Sequence, residues 1–295
     1  MAEMEGIGSL LKMQMPEGLE RGCEPYSDDP KEKERQKAGD HNANAGFLHE
    51  EDGYNCDICK NKGYVVTVVK NELFGYYTES LLNCRCCRIR NAIRRLNRSG
   101  LKARVKACTF DRYETPDAWQ KTIKETAQRF VDSVNGEWFF IGGQSGAGKT
   151  HICTAAAIAK LKQGKELRYM EWREEVPKIK ASITDAGRYA GLMKELKETD
   201  ILYIDDLFKN GKGADGVVIQ PTAADINLAF EIINYRYNQP ELITIISSER
   251  TLIELMEIDE AIAGRVAERT KAHGFCINLK PDTQKNWRMR DLVEL

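Results

Sequence analysis

WFFIGGQSGAGKTHICTAAAIAKL, residues 138–161, decides the fold. An apolar run of strand length, Trp138–Ile141, leads straight into Gly143-Gln144-Ser145-Gly146-Ala147-Gly148-Lys149-Thr150, and the pattern predicts a helix over Lys149–Gln163. The eight residues fit G-x-x-x-x-G-K-[ST] in the setting the motif requires, a strand before it and a helix after it. Glycines let the backbone curl so that N–H groups point inward at phosphate oxygens, and the helix N-terminus adds partial positive charge. Lys149 then reaches the β- and γ-phosphates, and the Thr150 hydroxyl ligates Mg²⁺. A glycine-rich turn with a chance lysine leaves the agreement of motif, strand and helix unexplained. Gly143, Ser145, Gly146, Ala147, Gly148, Lys149, Thr150 and the adjoining His151 form the predicted cofactor-binding stretch.

Around this segment the same alternation continues. Strand-length apolar runs occur at Leu167–Met170, Ile201–Ile204, Leu242–Ser247 and Phe275–Leu279, with helical stretches at Ala223–Tyr237 and Glu260–Ala272. Strands alternating with helices predict an α/β domain with a doubly wound, five-stranded parallel sheet. Ile201-Leu202-Tyr203-Ile204-Asp205-Asp206 ends a buried strand in two carboxylates, at the sheet edge where such folds bind ligands. Asp205 is the predicted Mg²⁺ partner and Asp206 the residue that polarises the attacking water. The next strand ends in Ser247-Ser248-Glu249. A polar side chain there either senses the nucleotide or caps the following helix. Arg265 and Arg269 stand at i and i+4 on one helix face. They serve either to neutralise charge on a transferring phosphoryl group in a neighbouring subunit or as surface salt bridges with Glu268 or Glu260.

Upstream, the chemistry changes. Five of the nine cysteines lie between Cys56 and Cys87, as Cys56-Asp57-Ile58-Cys59 and then Cys84-Arg85-Cys86-Cys87. Two thiolates from each end suit one tetrahedral Zn²⁺, with ligands Cys56, Cys59, Cys84 and Cys86, Cys87 being the alternative fourth. A module this small has little core and needs a metal to stay folded. Cys23, Cys108, Cys153 and Cys276 read as isolated fillers. Cys84 to Cys108 holds nine Lys/Arg and no acid, and within it Arg88–Leu96 reads as an amphipathic basic helix, either for a nucleic acid backbone or as a solvated connector. Phe208-Lys209-Asn210-Gly211-Lys212-Gly213 is a second candidate contact loop.

The whole chain has 295 residues, 44 Lys+Arg against 45 Asp+Glu. Its apolar runs are far too short to span a membrane, and residues 1–20 lack the basic start and apolar core of a secretion signal. A reducing cytoplasm is the expected compartment, where disulfides do not account for nine cysteines. The expected organisation is a flexible leader over 1–50 with a short helix in its first 20 residues, a zinc module over 51–87, a basic connector helix over 88–108 and an ATPase domain over 109–295. The polar part of the leader, Arg21–Asn44, reads as a mobile linker.

GGQSGAGKTH, LYIDD, PTAADINLAFEIINYRYNQPELITIISSER and the GRVAER helix together resemble the AAA+ ATPases of the DnaC/DnaI helicase-loader family, in its phage and mobile-element branch. The resemblance implies an AAA+ P-loop ATPase that binds a hexameric replicative helicase and helps place it on single-stranded DNA, using ATP and self-associating through its ATPase domain. Carried over, Lys149 and Thr150 match the phosphate-loop residues, and Asp205 and Asp206 the magnesium and water positions. Arg265 and Arg269 match the arginine-finger helix, Arg265 being preferred, and Arg288 matches a second-sensor arginine. Ser248-Glu249 departs from the family's Ser-Asn and moves the sensing role to Ser248. With 16 residues after Leu279, the lid is minimal. The resemblance leaves two other readings, a transposition-helper ATPase (IstB-like) and an ATP-binding adaptor with little hydrolysis.

Overall fold

The structure, a computed structural model, describes residues 29–98, 102–133, 136–163, 165–209, 211, 219–282 and 285–289. The expected short helix in the first 20 residues, Cys23 and residues 210, 212 and 213 of the loop 208–213 lie outside these. The chain divides into two compact units, Met1–Arg94 and Arg95–Leu295.

In the first unit, helices α1 (Pro30–Ala43) and α2 (Leu48–Asp52) precede strands β1 (Tyr64–Lys70) and β2 (Tyr77–Asn83), and helix α3 (Cys86–Arg98) follows. The strands pair antiparallel, from Tyr64 opposite Asn83 to Lys70 opposite Tyr77. Within Arg21–Asn44, expected to be a mobile linker, the described part is helical over Pro30–Ala43. The cause is polar, so hydrophobic patterning does not reveal it. Asp29 accepts the Lys31 N–H at 3.0 Å as the helix cap. Asn42 pairs with the main chain of Val66, donating to its carbonyl at 2.8 Å and accepting its N–H at 2.9 Å. That amide occupies an edge of β1 whose backbone groups would otherwise need other partners.

Among the described residues, the basic connector expected over 88–108 carries two helical stretches. α3 runs to Arg98, and a four-residue helix, α4 (Lys102–Val105), comes after it. Not all the connector's arginines are surface cations. Arg90 is buried, with Nη1 2.6 Å from Asp52 Oδ1 and Nη2 2.8 Å from Asn61 Oδ1, and Arg94 pairs with Glu51 at 2.7 Å. Arg85 and Arg88 remain exposed.

The second unit begins in α3, then runs α4, α5 (Ala118–Asp132), β3 (Phe139–Gly143), α6 (Lys149–Lys162), β4 (Leu167–Glu171), α7 (Trp172–Ala181) and α8 (Ala186–Glu198). It continues with β5 (Ile201–Asp205), α9 (Ala223–Tyr237), β6 (Ile243–Ser248), α10 (Leu252–Ile258), α11 (Glu260–Lys271), β7 (Cys276–Leu279) and a 3₁₀ turn at Trp287–Met289. The five strands form one sheet in the order β4-β5-β6-β3-β7, and every pair is parallel. These are the five predicted strands with ends shifted by a residue or two. Helices α7 and α8 fall outside the predicted set.

All residues of β3, β5 and β6 are buried. Continuous apolar runs therefore read as central strands covered on both faces. β5 and β6 adjoin, and β6 adjoins β3, so the carboxylates ending β5, the serines ending β6 and the loop leaving β3 share one edge. Arg236, on α9 and fully buried, braces the opposite end of this sheet. Its guanidinium donates to the carbonyls of Thr199 at 2.8 Å and Ile243 at 2.6 Å, and to Thr244 Oγ1 at 2.9 Å.

Candidate nucleotide site and cysteine cluster

At the edge of the sheet, β3 gives way to the phosphate loop and α6. Gly143 has φ +102°, and a Cβ there would lie 2.0 Å from the Leu279 carbonyl, so only glycine lets β7 approach this closely. Gly148, directly before α6, has φ +79°, which an L side chain adopts at a cost. Lys149 turns back over the loop and donates to the carbonyls of Gly143 and Gln144, each at 2.8 Å. Burial presses its ammonium below the ordinary lysine value. A lysine held by neutral carbonyls rather than a carboxylate keeps its positive charge available to an anion.

Asp205 sits at the tip of β5 among five donors. Oδ1 accepts from Thr150 Oγ1 at 3.1 Å, Tyr203 at 2.8 Å and Ser247 at 2.5 Å. Oδ2 accepts from Tyr169 at 3.0 Å and Arg104 at 2.9 Å. Burial together with the Asp205 charge pushes both tyrosine phenols up, so they remain donors at neutral pH. Arg104, Tyr169 and Tyr203 are site residues that the sequence analysis does not identify. The alternation along β4 and β5 brings the tyrosines toward the acid, whereas nothing in the basic run distinguishes Arg104 from its neighbours. The Thr150 hydroxyl and Asp205 carboxylate together are hard oxygen donors of the kind Mg²⁺ takes, so these residues fit a cation carried with a nucleotide.

Asp206 adopts φ +58° and donates its N–H to Ser247 Oγ at 2.9 Å. Its carboxylate pairs with Lys209 at 2.8 Å. Of the two serines ending β6, Ser247 rather than Ser248, the expected sensor, has its hydroxyl on the acid pair. Successive residues of a strand face opposite ways, and Ser248 is buried with its hydroxyl donating to the Leu207 carbonyl at 2.9 Å. Glu249 faces the loop, where it accepts from Ser145 Oγ at 3.0 Å. Lys209 and Ser145 hold its carboxyl below the ordinary glutamate value even though burial works in the other direction.

The loop from Ser145 to Thr150, Asp206, Lys209 and Glu249 line a cleft of about 270 Å³ with Arg112, Tyr113, Gln120, His151, Trp287 and Arg288 among its walls. His151 Nε2 lies 2.8 Å from the Thr109 carbonyl, and its ring meets Tyr113 edge-on. The Trp287 N–H donates to the Gly146 carbonyl at 3.0 Å, which brings Arg288 to the cleft.

The two arginines of α11 differ. Arg269 is turned into its own fold, donating to the carbonyls of Gly136 at 2.5 Å and Pro240 at 3.0 Å with its guanidinium over the Trp138 ring. Its guanidinium is thus engaged within its own chain. Arg265 is partly exposed and donates to Asn234 Oδ1 at 3.0 Å and the Ala261 carbonyl at 2.9 Å. Phe208, suggested as a contact aromatic, is buried against Trp172.

In the other unit, the sulfurs of Cys56, Cys59, Cys84 and Cys86 all lie within 4.8 Å of one another. Cys56 and Cys84 are 3.7 Å apart, and Cys59 and Cys86 3.5 Å. Four sulfurs at about 2.3 Å from a tetrahedral zinc are separated by roughly 3.8 Å, so this set fits Zn²⁺. Cys87 points elsewhere and donates to the Gly63 carbonyl at 2.9 Å. The knuckle turns through Lys60 and Asn61, both with positive φ, and Asn61 accepts the Cys56 N–H at 2.8 Å. Among the described residues no helix is long and apolar enough to cross a membrane.

A parallel sheet carrying this loop and acid edge defines a P-loop protein. The chain belongs to the IstB-like ATP binding protein family, whose model matches residues 75–290. It is 30% identical over 229 residues to the phage-like element PBSX protein XkdC of Bacillus subtilis (strain 168), covering 73% of this chain and 79% of that protein. It is 27% identical over 121 residues to the replicative helicase loader DnaC of Escherichia coli (strain K12), covering 39% of this chain and 48% of DnaC. The match thus spans about half the length of DnaC. A crystal structure of the DnaC helicase loader superposes with a TM-score of 0.45 at 22% identity, covering 61% of this chain and 99% of that one.

Proposed function

We propose that this protein is an ATP-dependent loader that binds a hexameric replicative DNA helicase and helps place it on single-stranded DNA. The observation that carries the reading is the assembled ATP cleft in a chain whose relatives include the helicase loader DnaC. In this reading, Lys149 and the loop hold the phosphates. A divalent cation between Thr150 and Asp205 would supply neutralisation of charge on the β- and γ-oxygens. Asp206 orients the attacking water, Ser247 fixes both acids, and Arg288 closes the cleft from the C-terminal side. Arg265 acts on the nucleotide of a neighbouring copy. The Cys₄ module holds structural zinc, and with all four positions taken by thiolates it performs no chemistry.

The test is co-purification with a hexameric replicative helicase, with and without ATP and with Lys149→Ala as control. Absence of helicase affinity, together with stimulation of a transposase on DNA, supports instead a transposition helper, the reading favoured by the IstB-like description of the family. The pairing of Asp206 with Lys209 also supports slow turnover. Negligible hydrolysis even with helicase and single-stranded DNA present would make the protein a nucleotide-switched adaptor.

A further inference from the structure

Lys209 lies in the same cleft as Lys149, and neither the loop motif nor the acid pair calls for it. Its Nζ is 2.8 Å from Asp206 Oδ2 and 3.1 Å from Glu249 Oε1. Glu249 in turn accepts from Ser145 in the middle of the phosphate loop. The lysine therefore stands where the tips of β5 and β6 meet the loop. In P-loop proteins the loop and helix N-terminus cradle the inner phosphates, and the water-orienting acid lies beyond the terminal one. That corner is where a third phosphate ends.

The backbone is shaped to keep the lysine there. Asp206 and Phe208 have φ +58° and +56°, a conformation that persists in non-glycine residues only where the surroundings enforce it. The enforcing contacts are visible. Leu207 donates its N–H to the Ser247 carbonyl at 2.8 Å, Lys209 closes a turn onto the Asp206 carbonyl at 2.9 Å, and the Phe208 ring is locked against Trp172. Without Lys209, this corner would present two carboxylates to an anionic phosphate. Like charges facing one another at a binding surface oppose association.

We infer that Lys209 is a second phosphate-binding lysine, selective for the γ-phosphate and held in place by Glu249. The inference rests on the ATP-binding reading of the cleft and deepens it. With a diphosphate bound, Lys209 stays on Asp206 and masks it. A third phosphate offers oxygens that draw the ammonium away, while Glu249 keeps its hold. Asp206 is then free to accept a hydrogen bond from water. Glu249, which replaces the asparagine of the resembled family, thus contributes to sensing through the lysine.

The experiment compares Mg²⁺-dependent binding of ADP and of AMP-PNP, by calorimetry, in the full-length wild type, Lys209→Met and Lys209→Arg. The wild type should favour AMP-PNP. Lys209→Met should weaken AMP-PNP ~10-fold or more, the range of a charge-assisted hydrogen bond, and leave ADP within about twofold. Lys209→Arg should restore most of the preference. Equal weakening of both nucleotides in Lys209→Met would show an ion pair that only supports the fold, and would overturn the assignment. So would unchanged binding, or a wild type without preference. A wild type that binds neither nucleotide overturns the ATP reading itself and this assignment with it.

Discussion

Arg104 donates to Asp205 across 2.9 Å, and it also reaches Glu171 at 3.4 Å with its guanidinium over the Tyr169 ring. A cation from the short helix α4 thereby holds the acid that faces the phosphate loop. A buried carboxylate needs such partners, since an unpaired one costs several times what a hydrogen bond returns. The Arg104 side chain is 39% exposed, so solvent screens the pair and the effect of its loss is moderate. Arg104→Met should lower the unfolding free energy by about 1 kcal/mol in urea titrations. An unchanged midpoint would show that the four hydroxyl donors suffice.

The two serines ending β6 should separate cleanly. Ser247 bridges the Asp205 carboxylate and the Asp206 N–H, whereas Ser248 bonds to the Leu207 carbonyl. Ser247→Ala should reduce ATP turnover ~10-fold or more with nucleotide affinity retained, from the loss of a hydrogen bond to a charged group. Ser248→Ala should leave turnover within about twofold and show itself in thermal unfolding instead. The reverse pattern would assign the sensing role to Ser248.

Much of this arrangement is legible in the sequence, for physical reasons. Strands buried on both faces are written as continuous apolar runs, so β3, β5 and β6 are read correctly. The phosphate loop is legible because its glycines, lysine and threonine are adjacent in the chain. What escapes are contacts made between distant polar residues. Asn42 on Val66, which orders a stretch expected to be mobile, has no periodicity to betray it. Arg90 and Arg104 lie in one basic run, yet the first is buried against Asp52 and the second reaches Asp205. The choice between Ser247 and Ser248 depends on strand phase, which is obscured when every residue of β6 is apolar or small.

The cysteine cluster makes its own prediction. Intact protein should contain one zinc per chain by elemental analysis. Cys86→Ser should lose it, because that sulfur completes the set of four. Cys87→Ser should keep it, since its thiol donates to the Gly63 carbonyl and lies outside the set of four. Metal retained in Cys86→Ser and lost in Cys87→Ser would reverse the assignment of the fourth ligand.

Acid should weaken the second unit in a way that one carboxylate reports. Burial works against the Asp225 charge, but the Lys180 ammonium and the Thr222 hydroxyl and N–H together hold its carboxyl below the ordinary aspartate value. A depressed folded-state value means the stabilisation is present above the unfolded value, about 3.9, and fades as pH falls through the lower folded one. Asp225→Asn should therefore lower stability at pH 7 and flatten its dependence below about pH 4. Parallel acid limbs for variant and wild type would contradict the linkage.

Helicase delivery is the central claim, and loading measured on a closed single-stranded DNA circle tests it most directly. Purified helicase hexamer should unwind an annealed strand from the circle, in the presence of single-strand-binding protein, only when this protein and ATP are supplied. Lys149→Ala should fail to support it. Equal unwinding with and without the protein, or full support by Lys149→Ala, would contradict the account.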